Sequence, residues 1–396
     1  MSYTGKTNWQ NNEIVEASDM NRIEQGVTDN DTGLTNHKNN TSNPHQTTKA
    51  QVGLGNVDNT SDLDKPVSTA TQTALNLKIS SAEKGTSNGV ATLDNLGKVP
   101  STQLPEMSAG GGVKLVRYVI GTSTAGWTAA DCDYLCDGTA DQTEIIAAIT
   151  ALPATGGEVV ILDGTYNIAA KIDVTKDNVS IRGNGNATIL KRMFDSSVKE
   201  GVITLSSRSG CKIANLQIDG NKASYTGNNN YGIYLTSSSN NTITGNTCNN
   251  NNNSGIYLSS SSDNTVTSNT CNNNNSGIYL YFASDNTVTG NACNNNISTG
   301  IYLNANSSNN TITGNTCNNN NSGIYLSSSN DNTVTGNTCI RGTGLATDYT
   351  ASQHTILLSG TGNNYNLIAM NNCMGKAVTN EGGTGNTLVN NKYNAT

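Results

Sequence analysis

The sequence predicts an all-β fold, a right-handed parallel β-helix of about 22–24 residues per coil. Three observations predict it. Gly-Ile-Tyr-Leu begins at Gly232, Gly255, Gly277, Gly300 and Gly323, a period of 22 to 23 residues, and repeats of this length mean a solenoid. Each copy is followed by Asn-Thr-(Ile/Val)-Thr-(Gly/Ser)-Asn and, shortly after, a cysteine, so short β-branched alternations are bounded by Ser and Asn turns. Finally, only 34% of the 396 residues are hydrophobic, 5% aromatic and 13% charged. That charge is too low for the highly charged type of disorder. Leucine-rich repeats share the period, but their LxxLxL spacing is absent.

Alternation places the Ile and Leu of each tetrapeptide on one face and the Tyr on the other. In Thr-Val-Thr the Val points in and both Thr point out. Gly245, Ser268, Gly290, Gly314 and Gly336 then allow a corner, after which Cys248, Cys271, Cys293, Cys317 and Cys339 point in again. Those cysteines are spaced by 23, 22, 24 and 22 residues, with no CxxC or Cys/His pattern. They read as a stacked column of free thiols acting as small hydrophobes, not as zinc ligands or disulfides. Each coil buries about four small or medium apolar groups, and the next coil repeats them at ~4.8 Å. Asn246, Asn269, Asn291, Asn315 and Asn337 are expected to stack as a hydrogen-bonded amide ladder.

Weaker copies extend the register. Upstream stand Val179-Ser-Ile, Val202-Ile-Thr-Leu, Cys211-Lys-Ile and Leu216-Gln-Ile; downstream stand Thr355-Ile-Leu-Leu, Asn366-Leu-Ile and Asn386-Thr-Leu-Val. Residues 113–396 would make roughly 12 coils, a rod of ~60 Å. The segment Asp137–Ile168, "DGTADQTEIIAAITALPATGGEVVILDGTYNI", resembles the N-terminal cap of pectate-lyase-like phage β-helices, and "VSIRGNGNATIL" continues the resemblance. The resemblance implies an amphipathic helix, about Thr143–Leu152, closing the hydrophobic column. An open β-helix end would otherwise expose a sheet edge.

The first hundred residues are not β-helical. "NNEIVEASDMNRIEQGV" reads as an extended segment, a Ser18 N-cap and a helix. Met20, Ile23, Val27, Asn30 and Leu34 follow at spacings of 3, 4, 3 and 4, a short heptad seam. "NPHQTTKAQVGLGNVDNTSDLDKPVSTATQTAL" and "NGVATLDNLGKVPSTQLPE" are similar to segments of bacteriophage tail fibres, and "NWQNNEIVEASDMNRIEQGV" looks like the baseplate-attaching start of such fibres. The resemblance implies a homotrimer joined to phage baseplate or tail proteins by its N-terminus, with Met20, Ile23, Val27 and Leu34 in the trimer seam. The expected domains are an attachment segment at 1–36, a fibre shaft at 37–112, irregular entry coils at 113–230 and regular coils at 231–396. Met1–Asn12 has no apolar signal core, so a virion tail appendage made without a cleaved leader is expected. The net charge of −7 gives no support for nucleic-acid binding, and no stretch approaches the roughly 20 apolar residues of a membrane span.

Chemistry is sparse. Between Lys222 and Arg341 there is no Lys, Arg, Glu or His, whereas β-elimination needs a base and a cation and glycoside hydrolysis needs two carboxylates. Asp263 and Asp285 lie one coil apart, but Asn240 and Asn309 hold the matching positions, so an Asx turn is the simpler reading. Lys191, Arg192, Asp195, Lys199, Glu200, Arg208, Lys212, Asp219 and Lys222 gather before the regular repeats. There "IDGNK" resembles a segment of β-helical depolymerases, making Asp219 the catalytic candidate with Arg208 and Glu200 as partners. The bland reading, charged loops around the rod, is preferred. His37 and His45 read as solvated histidines, and neither a metal nor a cofactor is expected. Tyr234, Tyr257, Tyr279, Tyr302 and Tyr325 form an outward ladder, with Tyr281 and Phe282 nearby. Aromatic faces can stack on sugars, or the ladder packs on itself or in a trimer. The sequence thus points to a tail fibre or tailspike that binds a host surface polysaccharide. A polysaccharide lyase or hydrolase on the same rod is the alternative, and an ice-binding threonine array is a remote third.

Overall fold

A computed structural model describes residues 10–40, 42, 47–55, 67–78, 93 and 116–393. The chain divides into two units, 1–112 and 113–396. In the first, α1 (Ala17–Asn39) and α2 (Thr69–Lys78) are the described helices. The seam helix begins one residue before the expected cap: Glu16 holds the N-cap position, with no side-chain cap bond. Met20, Ile23, Val27 and Leu34 are all exposed and α1 has no buried residue among the described residues. His45 and residues 79–92 and 94–115 lie outside the described residues.

The second unit is a parallel β-helix. Its strands form one sheet of fourteen and one of nine, in which coil n pairs with coil n+1. Register is in phase through the regular coils: Ile233, Ile256, Ile278, Ile301, Ile324 and Ile356 stand in one row, with Leu235, Leu258, Leu280, Leu303, Leu326 and Leu358 beside them. The Thr-(Ile/Val)-Thr strands stack likewise from Thr242–Thr244 to Thr333–Thr335. Parallel bridges join Thr247, Thr270, Ala292, Thr316 and Thr338 into a third ladder. All the weaker copies upstream and downstream lie on or at the ends of strands of these sheets. One coil is long: the ladder step from Asn332 to Asn366 is 34 residues, with a 3-10 turn at Ala346–Asp348.

The capping helix α3 spans Gln142–Ala151 and turns Ile145, Ala148 and Ile149 onto the end of the core. Asp141 organises its start: the carboxylate accepts the Gly138 and Asn167 amides at 2.8 and 2.7 Å. The Ile, Val and Leu rows and the thiol column are fully buried. The cysteine position is filled by Leu190 and Ile218 in the entry coils and by Cys248 from the next coil onward. Cys373 extends the column by one coil. Such interchange with Leu and Ile is what a small hydrophobe shows.

Amides hold the corners. Asn246, Asn269, Asn291, Asn315, Asn337 and Asn371 each donate Nδ2 to the Oδ1 of the next, at 2.9–3.0 Å. A second ladder, not expected from the sequence, runs Asn241, Asn264, Asn286, Asn310, Asn332 and Asn366 at 3.0–3.1 Å. Each amide oxygen also takes the backbone N–H one coil below, so the buried amides of these two ladders are satisfied.

Candidate functional site

The outward face of the nine-stranded sheet carries the tyrosines. Their rings are parallel and spaced by the coil: Tyr279–Tyr302 and Tyr302–Tyr325 stack at 4.7 Å with interplanar angles of 12° and 7°. Faces therefore cover one another. Solvent meets ring edges and hydroxyls, and the ladder packs on itself, one of the arrangements the sequence left open. Asn304 Nδ2 donates to the Tyr279 hydroxyl at 2.9 Å, adding an amide to the lane.

The lane is open over only part of its length. Tyr279, Tyr302 and Tyr325 are half-buried, but Tyr234 is 8% exposed and Tyr257 fully covered. The cause is Tyr231, which replaces the Ser or Thr found before the glycine in the other coils and stacks on Tyr257 at 4.7 Å. Lys199 completes the cover: its amine donates to the Tyr257 hydroxyl at 3.1 Å and stands 5.1 Å from that ring and 5.2 Å from the Tyr281 ring. That odd residue at position 231 was the available sequence signal.

Two aromatic rings leave the stack. Tyr281 is turned 75° from Tyr279, and Phe282 is turned 82° from Tyr281. The other coils place Thr236, Ser259, Asn304 and Ser327 opposite Tyr281.

The three catalytic candidates are held in separate networks. Asp219 Oδ1 accepts the Asn221 amide at 3.1 Å and Asn250 Nδ2 at 3.3 Å. Arg208 donates to the Ser206 and Thr175 carbonyls and lies 3.5 Å from Asp177. Glu200 accepts from Ser196 Oγ at 3.0 Å and lies 3.5 Å from Lys171. No hydrogen bond or ion pair joins any two of the three. Asp263, Asp285 and Asp331 are exposed at corners with φ of 56°, 60° and 57°, as are Asn240 and Asn309 at 58° and 57°. Asp and Asn tolerate this left-handed conformation, which accounts for their interchange.

The family model described as periplasmic copper-binding protein (NosD) matches residues 170–396, more than half of the chain and nearly all of the rod. The chain belongs to the NosD family. Over 65 residues the chain is 49% identical to the phage-like element PBSX protein XkdV of Bacillus subtilis strain 168. The match covers 16% of this chain and 10% of that protein, so this NosD-family chain spans a small part of that relative's length. Among solved structures it is similar to ORF18 of Geobacillus virus E2 (17% identity, TM-score 0.49, 70% of this chain and 60% of that one). It is similar also to the Dettilon tailspike protein (15% identity, TM-score 0.42, 65% and 66%).

The donors in the matched region do not suit copper. Its one imidazole, His354, has Nδ1 3.0 Å from Thr379 Oγ1 and no second histidine beside it. The thiols from Cys248 to Cys373 are sealed in the hydrocarbon column, where a charged thiolate is costly. Metal binding needs the thiolate. Outside that region Cys136, Asp141 and Glu144 come within 4.8 Å of one another, but both Asp141 oxygens already hold the cap. All nine cysteines are free, and of them only Cys132 is not buried. A thiol reagent should therefore modify at most Cys132 in the native protein and all nine after unfolding. Copper(I) added to native protein should leave that count unchanged. Rapid native modification of the column, or its protection by copper, would contradict the sealed packing.

Proposed function

We propose that this chain is a tail appendage of a phage or phage-like particle that binds a cell-surface glycan along the Tyr279–Tyr302–Tyr325 lane. The observation that carries the reading is the lane itself. It is a straight row of tyrosine hydroxyls one coil apart, half-exposed and bordered by neutral amides and hydroxyls. A repeating polyhydroxyl chain is the ligand that such a repeating donor–acceptor row matches. Among the described residues no paired acid and base stands beside it, which favours binding over bond cleavage. The XkdV likeness supports the particle context. The apolar seam of Met20, Ile23, Val27 and Leu34, exposed among the described residues, supports a homotrimer, with the N-terminal region attaching to baseplate or tail proteins.

The decisive variant is Tyr279→Phe/Tyr302→Phe/Tyr325→Phe, which keeps the ring stack and removes three hydroxyls. Retention on host-envelope polysaccharide should weaken by about 1 kcal/mol per hydroxyl engaged, with the unfolding midpoint little changed. Unchanged retention would remove the lane from the site. If polysaccharide chains shorten and Asp219→Ala stops the shortening while binding persists, the chain is a depolymerase instead. Light scattering should return about three times the 41.3 kDa chain mass; a stable monomer would remove the seam's role.

A further inference from the structure

The corner after each tyrosine strand is left-handed: Ser237, Ser260, Phe282 and Ser328 have φ of 48°, 48°, 48° and 50°, and Ala305 55°. Four coils place Ser or Ala there. The fifth places a phenylalanine, which is an outlier in this conformation and is 46% exposed. Strain of this kind costs roughly 1–2 kcal/mol, and the exposed ring recovers little of it by burial. Backbone strain that packing does not explain concentrates at functional positions.

The strained ring has company. Phe282 packs edge-on to Tyr281 at 4.7 Å, and Lys199 reaches across from an entry coil to stand over Tyr281. Among the described residues Lys199 pairs with no carboxylate, whereas neighbouring Lys171 is 3.5 Å from Glu200. Burial lowers the Lys199 value, but the hydrogen bond to Tyr257 and the ionisable hydroxyls of Tyr257, Tyr234 and Tyr279 more than reverse this, so the net shift is upward and the amine is cationic at neutral pH. It is a cation fixed at one end of the open lane, in coils whose own sequence from 223 to 340 has none.

We infer that Lys199, Tyr281 and Phe282 form an anchor for an anionic sugar, a residue bearing a carboxylate or phosphate group, at the end of the tyrosine lane. The amine meets the anion. The two rings turned out of the stack offer the apolar faces that the stacked tyrosines do not. This rests on the glycan reading above and names the class of glycan.

Two variants of the full chain test it on immobilised polygalacturonate, a glycerol-phosphate teichoic acid and neutral dextran, each at low and high salt. Lys199→Met keeps the stem over Tyr257 and removes the charge. It should lower retention on an anionic glycan about tenfold, the weight of one charge-assisted hydrogen bond, and abolish the salt dependence that wild type shows. Phe282→Ser installs the residue of the other coils; it should raise the unfolding midpoint or leave it unchanged while retention falls. The carboxylated and phosphorylated supports distinguish the two sources of anion. Retention on dextran alone, unaffected by Lys199→Met, would overturn the anchor and leave glycan binding standing. Retention on none of the three overturns the anchor as placed, and whether envelope polysaccharide is still bound decides the fate of the wider reading. A Phe282→Ser protein that is markedly less stable would show that the ring serves packing, against the inference.

Discussion

Asn291→Ala should lower the unfolding midpoint more than any surface change in the rod. Asn291 Oδ1 accepts the backbone N–H and Nδ2 of Asn269 at 2.9 and 3.0 Å. Its Nδ2 donates to the Val266 and Thr289 carbonyls and to Asn315 Oδ1. Truncation strands the buried Asn269 N–H and weakens the amides on both sides, a cost on the order of 3 kcal/mol or more. Asn291→Asp is the sharper variant. The new carboxylate keeps the bonds from Asn269, but its second oxygen faces three acceptors. Its folded-state pKa must rise above the unfolded value, so the penalty is absent well below both and grows as pH rises through them. The deficit against wild type should therefore be small in acid and large at neutral pH. A pH-independent deficit would mean that the buried amide ladder is not where the cost arises.

Gly300→Ala should be comparably damaging, and Gly290→Ser nearly silent. A Cβ on Gly300 would stand 2.5 Å from the Gly323 carbonyl oxygen and 2.8 Å from Cys317 Cβ, neither of which can move without parting the coils. Overpacking of this kind costs about 1–3 kcal/mol, and more where backbone must yield. Gly290 has φ of 63° with nothing within 4 Å of its Cβ position, and Ser268 already occupies the matching corner at 56°. The substitution should cost about 1 kcal/mol from the left-handed backbone. Thermal or guanidinium unfolding of both variants checks the pair. Equal effects would mean that conformational freedom, not close approach, explains both glycines.

The same contact couples the two most regular marks of the repeat. Three of the tetrapeptide glycines lie against the cysteine column: added Cβ atoms on Gly277, Gly300 and Gly323 would meet Cys293, Cys317 and Cys339 Cβ at 2.7–2.8 Å. These glycines are small because the carbonyl of the next coil and the cysteine Cβ both stand against them, and the cysteine replaces Leu190 and Ile218 where the coils become regular. Period alone suggested both residues; their mutual constraint needs the stacked coils.

The sequence by itself determined the coil, the register, the inward rows and the first amide ladder, because each follows from a local alternation repeated at a fixed period. Stacking identical coils then brings like residues together with no long-range search. It also showed that acid–base groups are scarce in the regular coils. The tertiary structure decided what the outward face offers. Parallel rings one coil apart must cover their own faces, so the ladder became a row of hydroxyls. Whether a given ring is open depended on residues outside the period: Tyr231 and Lys199 close Tyr257, while Phe282 holds its ring out on a strained corner. Asp219, Arg208 and Glu200 are near in sequence, yet a solenoid sends successive strands to different faces, which gave each its own partners. Local pattern builds the rod; contacts between unlike coils make the chemically distinct place at Lys199, Tyr281 and Phe282.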